Sequence, residues 1–206
     1  MYNTILVVGT ELISYGLDYT DRSTCVLFGD ASAATVFQAS DDPAGILTFE
    51  LGSDGDKGMA LWVPGGGSIN PMSHAVIDRG ENYIKMNGRE VFKFATRVMV
   101  SSATAVLDEC GKSIADVDVY VPHQANKRII DHAVGKLGVP RERTVVNVDR
   151  YGNTSSGSIP LALADARAEG RLHDGALVLM TGMGAGLTWG SALLEWTSPS
   201  GAAARG

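Results

Sequence analysis

The pentapeptide Pro122-His123-Gln124-Ala125-Asn126 constrains this chain more than any other stretch, because the hydrophobic pattern changes period across it. Before it, Asp116-Val117-Asp118-Val119-Tyr120-Val121 reads as a short strand. After it, Ile130, Ala133, Val134 and Leu137 recur at the spacing of one helix face. A histidine therefore sits where a strand ends and a helix begins, and in α/β proteins that junction lies on the sheet edge where ligands bind. The loop Tyr151-Gly152-Asn153-Thr154-Ser155-Ser156-Gly157 has the same setting. It follows the strand-like Thr144-Val145-Val146-Asn147-Val148 and precedes another helical pattern.

These two loops carry the chemistry. His123 lies just before a helix N-terminus, whose partial positive charge disfavours the imidazolium form. A neutral imidazole has one N–H to donate and can stabilise an enolate oxygen. The Asn153 amide is a second donor. Two donors aimed at one oxygen make an oxyanion hole. The run Gly182-Met183-Gly184-Ala185-Gly186 offers unobstructed backbone N–H groups for a second hole, or is simply a hairpin turn; the sequence leaves both open. His74, His132 and His173 fall in loop or helix-surface contexts that suggest no catalytic role.

In chain order, residues 4–9, 24–29 and 33–39 read as strands, the first of a buried parallel type expected to have neighbours on both sides. A turn cluster at Asp41-Asp42-Pro43-Ala44-Gly45 marks a boundary, and residues 46–51 resume a strand. Residues 52–73, with Gly65-Gly66-Gly67, are too long for a simple connection and read as a covering, functional or flexible loop. Asn87 and Glu90 have the spacing of a capping box that opens a long helix ending at Cys110-Gly111. Its apolar stripe comprises Val91, Ala95, Val98, Met99 and Val106, with Phe92 at the edge. Helices follow at 126–137 and from about 157, where Pro160 must occupy the first turn. Strands at 175–181 and 187–196 form a hairpin, and residues 197–206 read as a flexible tail.

At 206 residues the chain can bury a sizeable core, and its net charge of −6 argues against bulk nucleic-acid binding. Two cysteines, Cys25 and Cys110, set no disulfide framework and lack metal-ligand spacing, so no metal site is expected. Cys25 sits in an apolar run without a nearby cation, and Cys110 near a helix C-terminus; neither setting favours a reactive thiolate. No stretch approaches the roughly 18 apolar residues of a membrane span, and the start lacks a signal-peptide pattern. The expected location is cytoplasmic.

Four blocks carry a resemblance: Thr20-Asp21-Arg22-Ser23-Thr24-Cys25-Val26-Leu27-Phe28-Gly29-Asp30; Val121-Pro122-His123-Gln124-Ala125-Asn126-Lys127-Arg128-Ile129-Ile130; Tyr151-Gly152-Asn153-Thr154-Ser155-Ser156-Gly157-Ser158-Ile159-Pro160; and Gly184-Ala185-Gly186-Leu187-Thr188-Trp189-Gly190-Ser191-Ala192. In this order they resemble the β-ketoacyl-acyl-carrier-protein synthase III enzymes of the thiolase-like fold. The resemblance implies two similar halves stacked as αβαβα layers, working as a cytoplasmic homodimer without a cofactor. It implies transfer of an acyl group from acyl-CoA to a cysteine, then condensation with malonyl-acyl-carrier protein, initiating fatty-acid or polyketide chains. The positions matching His123 and Asn153 stabilise the enolate, and a backbone N–H around Ala185 holds the acyl oxygen. Phe92, Ala125 and Asn126 match pantetheine-binding positions, although Asn126 also suits a helix start. Lys127 and Arg128 would face the carrier protein, or equally form a solvated helix face.

One block departs. The nucleophile of the resembled family precedes the first strand and is missing. The expectation is therefore the end of the first half (residues 1–40), the whole second half (41–196) and a tail (197–206), unable alone to form an acyl-enzyme. A non-catalytic partner subunit, and transfer to a different acyl acceptor, are the alternatives.

Overall fold

The computed structural model describes residues 2–41 and 43–198. Strands β1 (Thr4–Glu11) and β2 (Ala31–Gln38) pair antiparallel as a two-stranded ribbon. The chain then builds β3 (Gly45–Ser53), β4 (Leu61–Trp62), α1 (His74–Asp78), β5 (Lys85–Met86) and α2 (Gly88–Glu109). There follow β6 (Val119–Pro122), α3 (Lys127–Leu137), α4 (Val148–Tyr151), α5 (Ser158–Ala168), β7 (Leu177–Gly184) and β8 (Thr188–Glu195). Strands β3, β8, β7 and β6 form one sheet in that order, with β6 and β7 parallel and the other pairs antiparallel. Residues 199–206, most of the expected tail, lie outside the described residues, as does Asp42 of the expected boundary turn.

Alternation along the strands sorts side chains onto two faces of this sheet. Tyr120, Leu179 and Leu193 point to one face and pack against Ala103, Val106 and Leu107 of α2 and Ile130 and Val134 of α3. Val119, Val121, Val178 and Leu194 point to the other and meet Ala162, Leu163 and Ala166 of α5. Fully burying a residue such as Leu179, Leu193 or Ile130 contributes about 1.5–3 kcal/mol each, so the sheet edge that carries His123 stands on a firm platform. The long helix opens as its sequence predicts, with the Asn87 side chain accepting from Glu90 N at 3.2 Å. Its buried stripe is wider than the predicted one, adding Phe94, Ser102, Ala103 and Leu107. The buried Ser102 hydroxyl is satisfied by Ser191 Oγ of β8 at 2.7 Å and by Val98 O.

Helix α5 also touches β2, so the layers run α2/α3, sheet, α5, ribbon. The ribbon differs from expectation in three ways. Strand β1 has one neighbour among the described residues, and it is antiparallel. Its aliphatic side chains Ile5, Leu6, Val7 and Val8 are each half or more exposed, on both faces. Residues 22–27 form successive turns rather than a strand, and Phe28 makes a single bridge. Asp21 accepts from the Ser23 N–H and hydroxyl, and its carbonyl takes Thr24 N and Cys25 N. Such local bonds offer the backbone an alternative to a ladder.

The predicted strand at 144–148 is also absent. Tyr120 and Thr144 make a single bridge. Beyond it the N–H groups of Asn147 and Val148 go to the Gln124 side chain rather than to a neighbouring strand. The long 52–73 segment contains β4, which pairs with β5, and 3₁₀ turns over Gly55–Ala60.

Backbone meets backbone where the ribbon reaches the 151–157 loop. Phe28 and Asn153 form a parallel bridge, through Asn153 N to Leu27 O (2.8 Å) and Gly29 N to Asn153 O (2.9 Å). Contact this close requires glycine. A Cβ on Gly29 would lie 2.1 Å from Tyr151 O, and one on Gly9 would lie 2.5 Å from Ser156 O. Gly29→Ala is accordingly expected to cost about 1–3 kcal/mol and lower the melting temperature by several degrees in a thermal unfolding scan. Gly55→Ala, where nothing lies within 4 Å of the added carbon, serves as the unaffected control.

Candidate active site

His123 and Asn153 both line one cavity of about 1260 Å³ between the sheet edge and the segment carrying β4 and β5. Its walls are mainly apolar, with Leu61, Trp62, Phe92, Met183 and Trp189 among the lining side chains. The 52–73 segment thus covers a site, the functional option left open by its length.

His123 follows β6, and its N–H extends the ladder to Thr181 O at 2.7 Å. The side chain is buried, and Nδ1 lies 2.5 Å from Ser158 Oγ in the first turn of α5. Ser158 Oγ also accepts from Gln124 N at 3.4 Å and has no other acceptor among the described residues. A Ser158 hydroxyl that donates to Nδ1 puts the ring hydrogen on Nε2, the tautomer that leaves His123 an N–H to donate. Burial pushes the His123 pKa down to about 4. The cause is loss of water around the charged form, rather than the dipole of the short-range helix end that the sequence suggested. The ring is a neutral N–H donor at physiological pH.

Asn153 is held by its backbone bridge to Phe28 and by its side chain. Its Oδ1 accepts from Ser155 N at 3.0 Å, so the NH₂ end is the one left to donate. Ser155 itself is in the left-handed region with φ of 48°, the one non-glycine residue there among those described. The Ser156 hydroxyl and N–H are taken by Glu11 Oε1 at 2.5 and 3.2 Å.

Between the two loops lies Gln124, which is fully buried. Its Nε2 donates to Pro122 O (2.8 Å) and Val145 O (3.1 Å), and its Oε1 accepts from Asn147 N (2.9 Å) and Val148 N (3.2 Å). Every hydrogen-bonding position of the amide is used. This side chain ties the end of β6 to the run into the Asn153 loop, beyond the Tyr120–Thr144 bridge.

The other sequence candidates distribute unevenly. Ala185 lies in the β7–β8 turn and lines the cavity. Phe92, Ala125 and Asn126 line it as well. Asn126 does begin a helix, since its Oδ1 caps α3 by accepting from Arg128 N at 2.9 Å. The Arg128 guanidinium sits 5.5 Å above the Phe92 ring at the cavity wall. Lys127 is outside this lining and pairs with Asp131 at 2.7 Å, a carboxylate that Arg141 shares. Neither Cys25 nor Cys110 lines the cavity. Among the described residues no group of three or more potential metal ligands occurs, and no helix is long and apolar enough to cross a membrane. Ser158, Glu11 and Gln124 are the residues whose part in the site sequence reading missed. The one hint was Pro160, which places Ser158 in the first helical turn.

The His123 environment makes stability pH-dependent. The unfolded chain takes up a proton near pH 6.5, whereas the folded chain resists it until about pH 4. This group's contribution is complete above pH 6.5 and is lost as pH falls toward 4, by a total on the order of 3 kcal/mol. Urea unfolding at stepped pH is expected to show that loss in the wild type and a flatter profile in His123→Gln.

Residues 1–55 match the family described as 3-oxoacyl-[acyl-carrier-protein (ACP)] synthase III, and residues 107–196 match its C-terminal region. The β-ketoacyl-[acyl-carrier-protein] synthase III of Symbiobacterium thermophilum is 50% identical over 196 residues, covering 95% of this chain and 59% of the relative. The crystal structure of a β-ketoacyl-[acyl carrier protein] synthase III from Thermus thermophilus superimposes with a TM-score of 0.86 at 44% identity, over 95% of this chain and 60% of that one. The priming β-ketosynthase of the R1128 polyketide biosynthetic pathway gives a TM-score of 0.82 at 36% identity, over 96% and 58%. The chain thus spans about three fifths of the length of these relatives. Its fold is the thiolase-like α/β fold, and by sequence and structure together the chain belongs to the 3-oxoacyl-[acyl-carrier-protein] synthase III family.

Proposed function

We propose that this chain provides the enolate-stabilising part of a decarboxylative condensing enzyme, which joins an acyl group from acyl-CoA to malonyl-acyl-carrier protein and so starts a fatty-acid or polyketide chain. On this reading residues 1–40 close the first thiolase-like half and residues 41–196 form the second, in an enzyme that works as a homodimer. The observation that carries the proposal is that a buried imidazole, kept neutral by desolvation, and the Asn153 amide both line one cavity.

Malonyl thioester decarboxylation leaves two electrons on the α-carbon, delocalised onto the thioester oxygen. The charge develops only as carbon dioxide departs. Donors that are already desolvated and oriented stabilise it without reorganising. A charged imidazolium would instead hold the malonyl carboxylate itself and favour the ground state. Burial of His123 therefore serves the reaction twice, by keeping the ring uncharged and by strengthening its hydrogen bond.

The N–H of Ala185, in the β7–β8 turn, is the proposed support for the acyl oxygen. Phe92, Ala125 and Asn126 would line the path of the pantetheine arm, with Arg128 near its entrance facing the acidic carrier protein. Lys127, already neutralised in part by Asp131, contributes less to that face. Because neither cysteine reaches the cavity, this chain by itself is not expected to form an acyl-enzyme.

In the catalytically competent protein, His123→Ala and Asn153→Ala should each slow malonyl-thioester decarboxylation by about 10²–10³-fold, read as carbon dioxide release. Undiminished release in either variant overturns the assignment. Incubation of this chain with radiolabelled acyl-CoA should leave Cys25 and Cys110 unlabelled by peptide mass analysis; specific acylation of Cys25 would contradict the proposal.

A further inference from the structure

We infer that Glu11 is a positioning residue for Asn153, acting from the end of β1 through Ser156 and the left-handed turn at Ser155. The inference deepens the reading of Asn153 as an oxyanion donor and rests on it. Glu11 lies 145 residues from Ser156 in sequence, yet its Oε1 accepts from both the hydroxyl (2.5 Å) and the N–H (3.2 Å) of that residue. The hydrogen bond from the Ser156 hydroxyl holds the Glu11 carboxyl below its ordinary pKa despite partial burial, so the clamp is an anion at neutral pH. Charge-assisted bonds of this kind are stronger than neutral ones.

The clamp matters because of what lies next to it. Ser155 adopts φ of 48°, a conformation that a residue with a Cβ reaches at a cost and keeps only when its surroundings impose it. That conformation aims Ser155 N at Asn153 Oδ1, 3.0 Å away. If Ser155 relaxed, its N–H would leave the amide oxygen, and the Asn153 side chain could rotate. Two flanking restraints fix the ends of the turn: the Asn153 backbone by its bridge to Phe28, and Ser156 by Glu11. The close approach of Gly9 to Ser156 O brings β1 near enough for the carboxylate of Glu11, two residues further on, to reach. Glu11 and Ser156 both line the same cavity as Asn153. The ribbon thereby sets the orientation of a donor carried by a loop outside it.

The test uses ¹⁵N-labelled chain and two NMR signals, the Asn153 side-chain NH₂ and the Ser155 amide. Glu11→Ala should shift or broaden both while the amides of β7 stay in place. Ser156→Ala removes the hydroxyl at the other end of the same bond on an exposed residue. It should disturb the same two signals, and it keeps the test decisive should Glu11→Ala fail to fold. Unmoved signals in folded Glu11→Ala, or in Ser156→Ala if the first variant is unfolded, overturn the inference. In the catalytically competent protein Glu11→Ala should lower decarboxylation kcat by about tenfold or more with KM unchanged. It should produce no further loss on an Asn153→Ala background, because two residues acting as a unit are not additive. Additive losses count against it. Full activity in Asn153→Ala would sink the functional reading, while the two signals would still decide the positioning role on their own.

Discussion

One buried carboxamide holds the site together. Gln124 spends both donors and both acceptor directions on four backbone groups, one before it and three in the 145–148 run. Left unpaired, the buried ones among these groups would cost about 1–3 kcal/mol apiece. The satisfied network does more than offset that cost. It fixes the spacing between the end of β6, where His123 emerges, and the segment that leads through α4 to Asn153. A sheet ladder would have held residues 144–148 flat against β6. The side-chain bonds instead release them into the helical turn that carries the chain round to the cavity.

The two donors are held by different means. His123 is fixed from within the sheet-and-helix layer, by the β7 carbonyl on its backbone and by Ser158 of α5 on its ring. Its protonation state follows from burial alone. Asn153 is fixed from outside that layer, by the ribbon, through a backbone bridge, glycine-thin contacts and the carboxylate of Glu11. The cavity consequently has one wall that belongs to the main core and one that depends on a less buried element.

Much of this was legible in the sequence where short-range rules decide. The Asn87 cap, the glycine that ends α3 at Gly138 in the left-handed region, and the Pro160 limit on the start of α5 all emerged where residue chemistry placed them. The junction that carries His123 is a strand end, as its pattern predicts, whereas Asn153 follows a short helical turn rather than the strand its neighbours suggest. Apolar runs misled where hydrogen bonds overrode them. Residues 24–29 look like a strand, but Asp21 captures the N–H groups of Thr24 and Cys25; residues 144–148 look like a strand, but Gln124 captures those of Asn147 and Val148. Ser158 and Glu11 could not be found by spacing, because their partners lie 35 and 145 residues away in the chain. Cation and carboxylate pairs that short spacing does suggest, such as Lys127 with Asp131, turned out to be peripheral.

The exposed aliphatic row on β1 has a practical corollary for anyone handling this polypeptide. Among the described residues β1 is hydrogen-bonded on one side only, and, bearing Ile5, Leu6, Val7 and Val8 in succession without a charge or proline among them, it is a template for intermolecular zipping. A lysine placed outward on that short run is the natural gatekeeper against it.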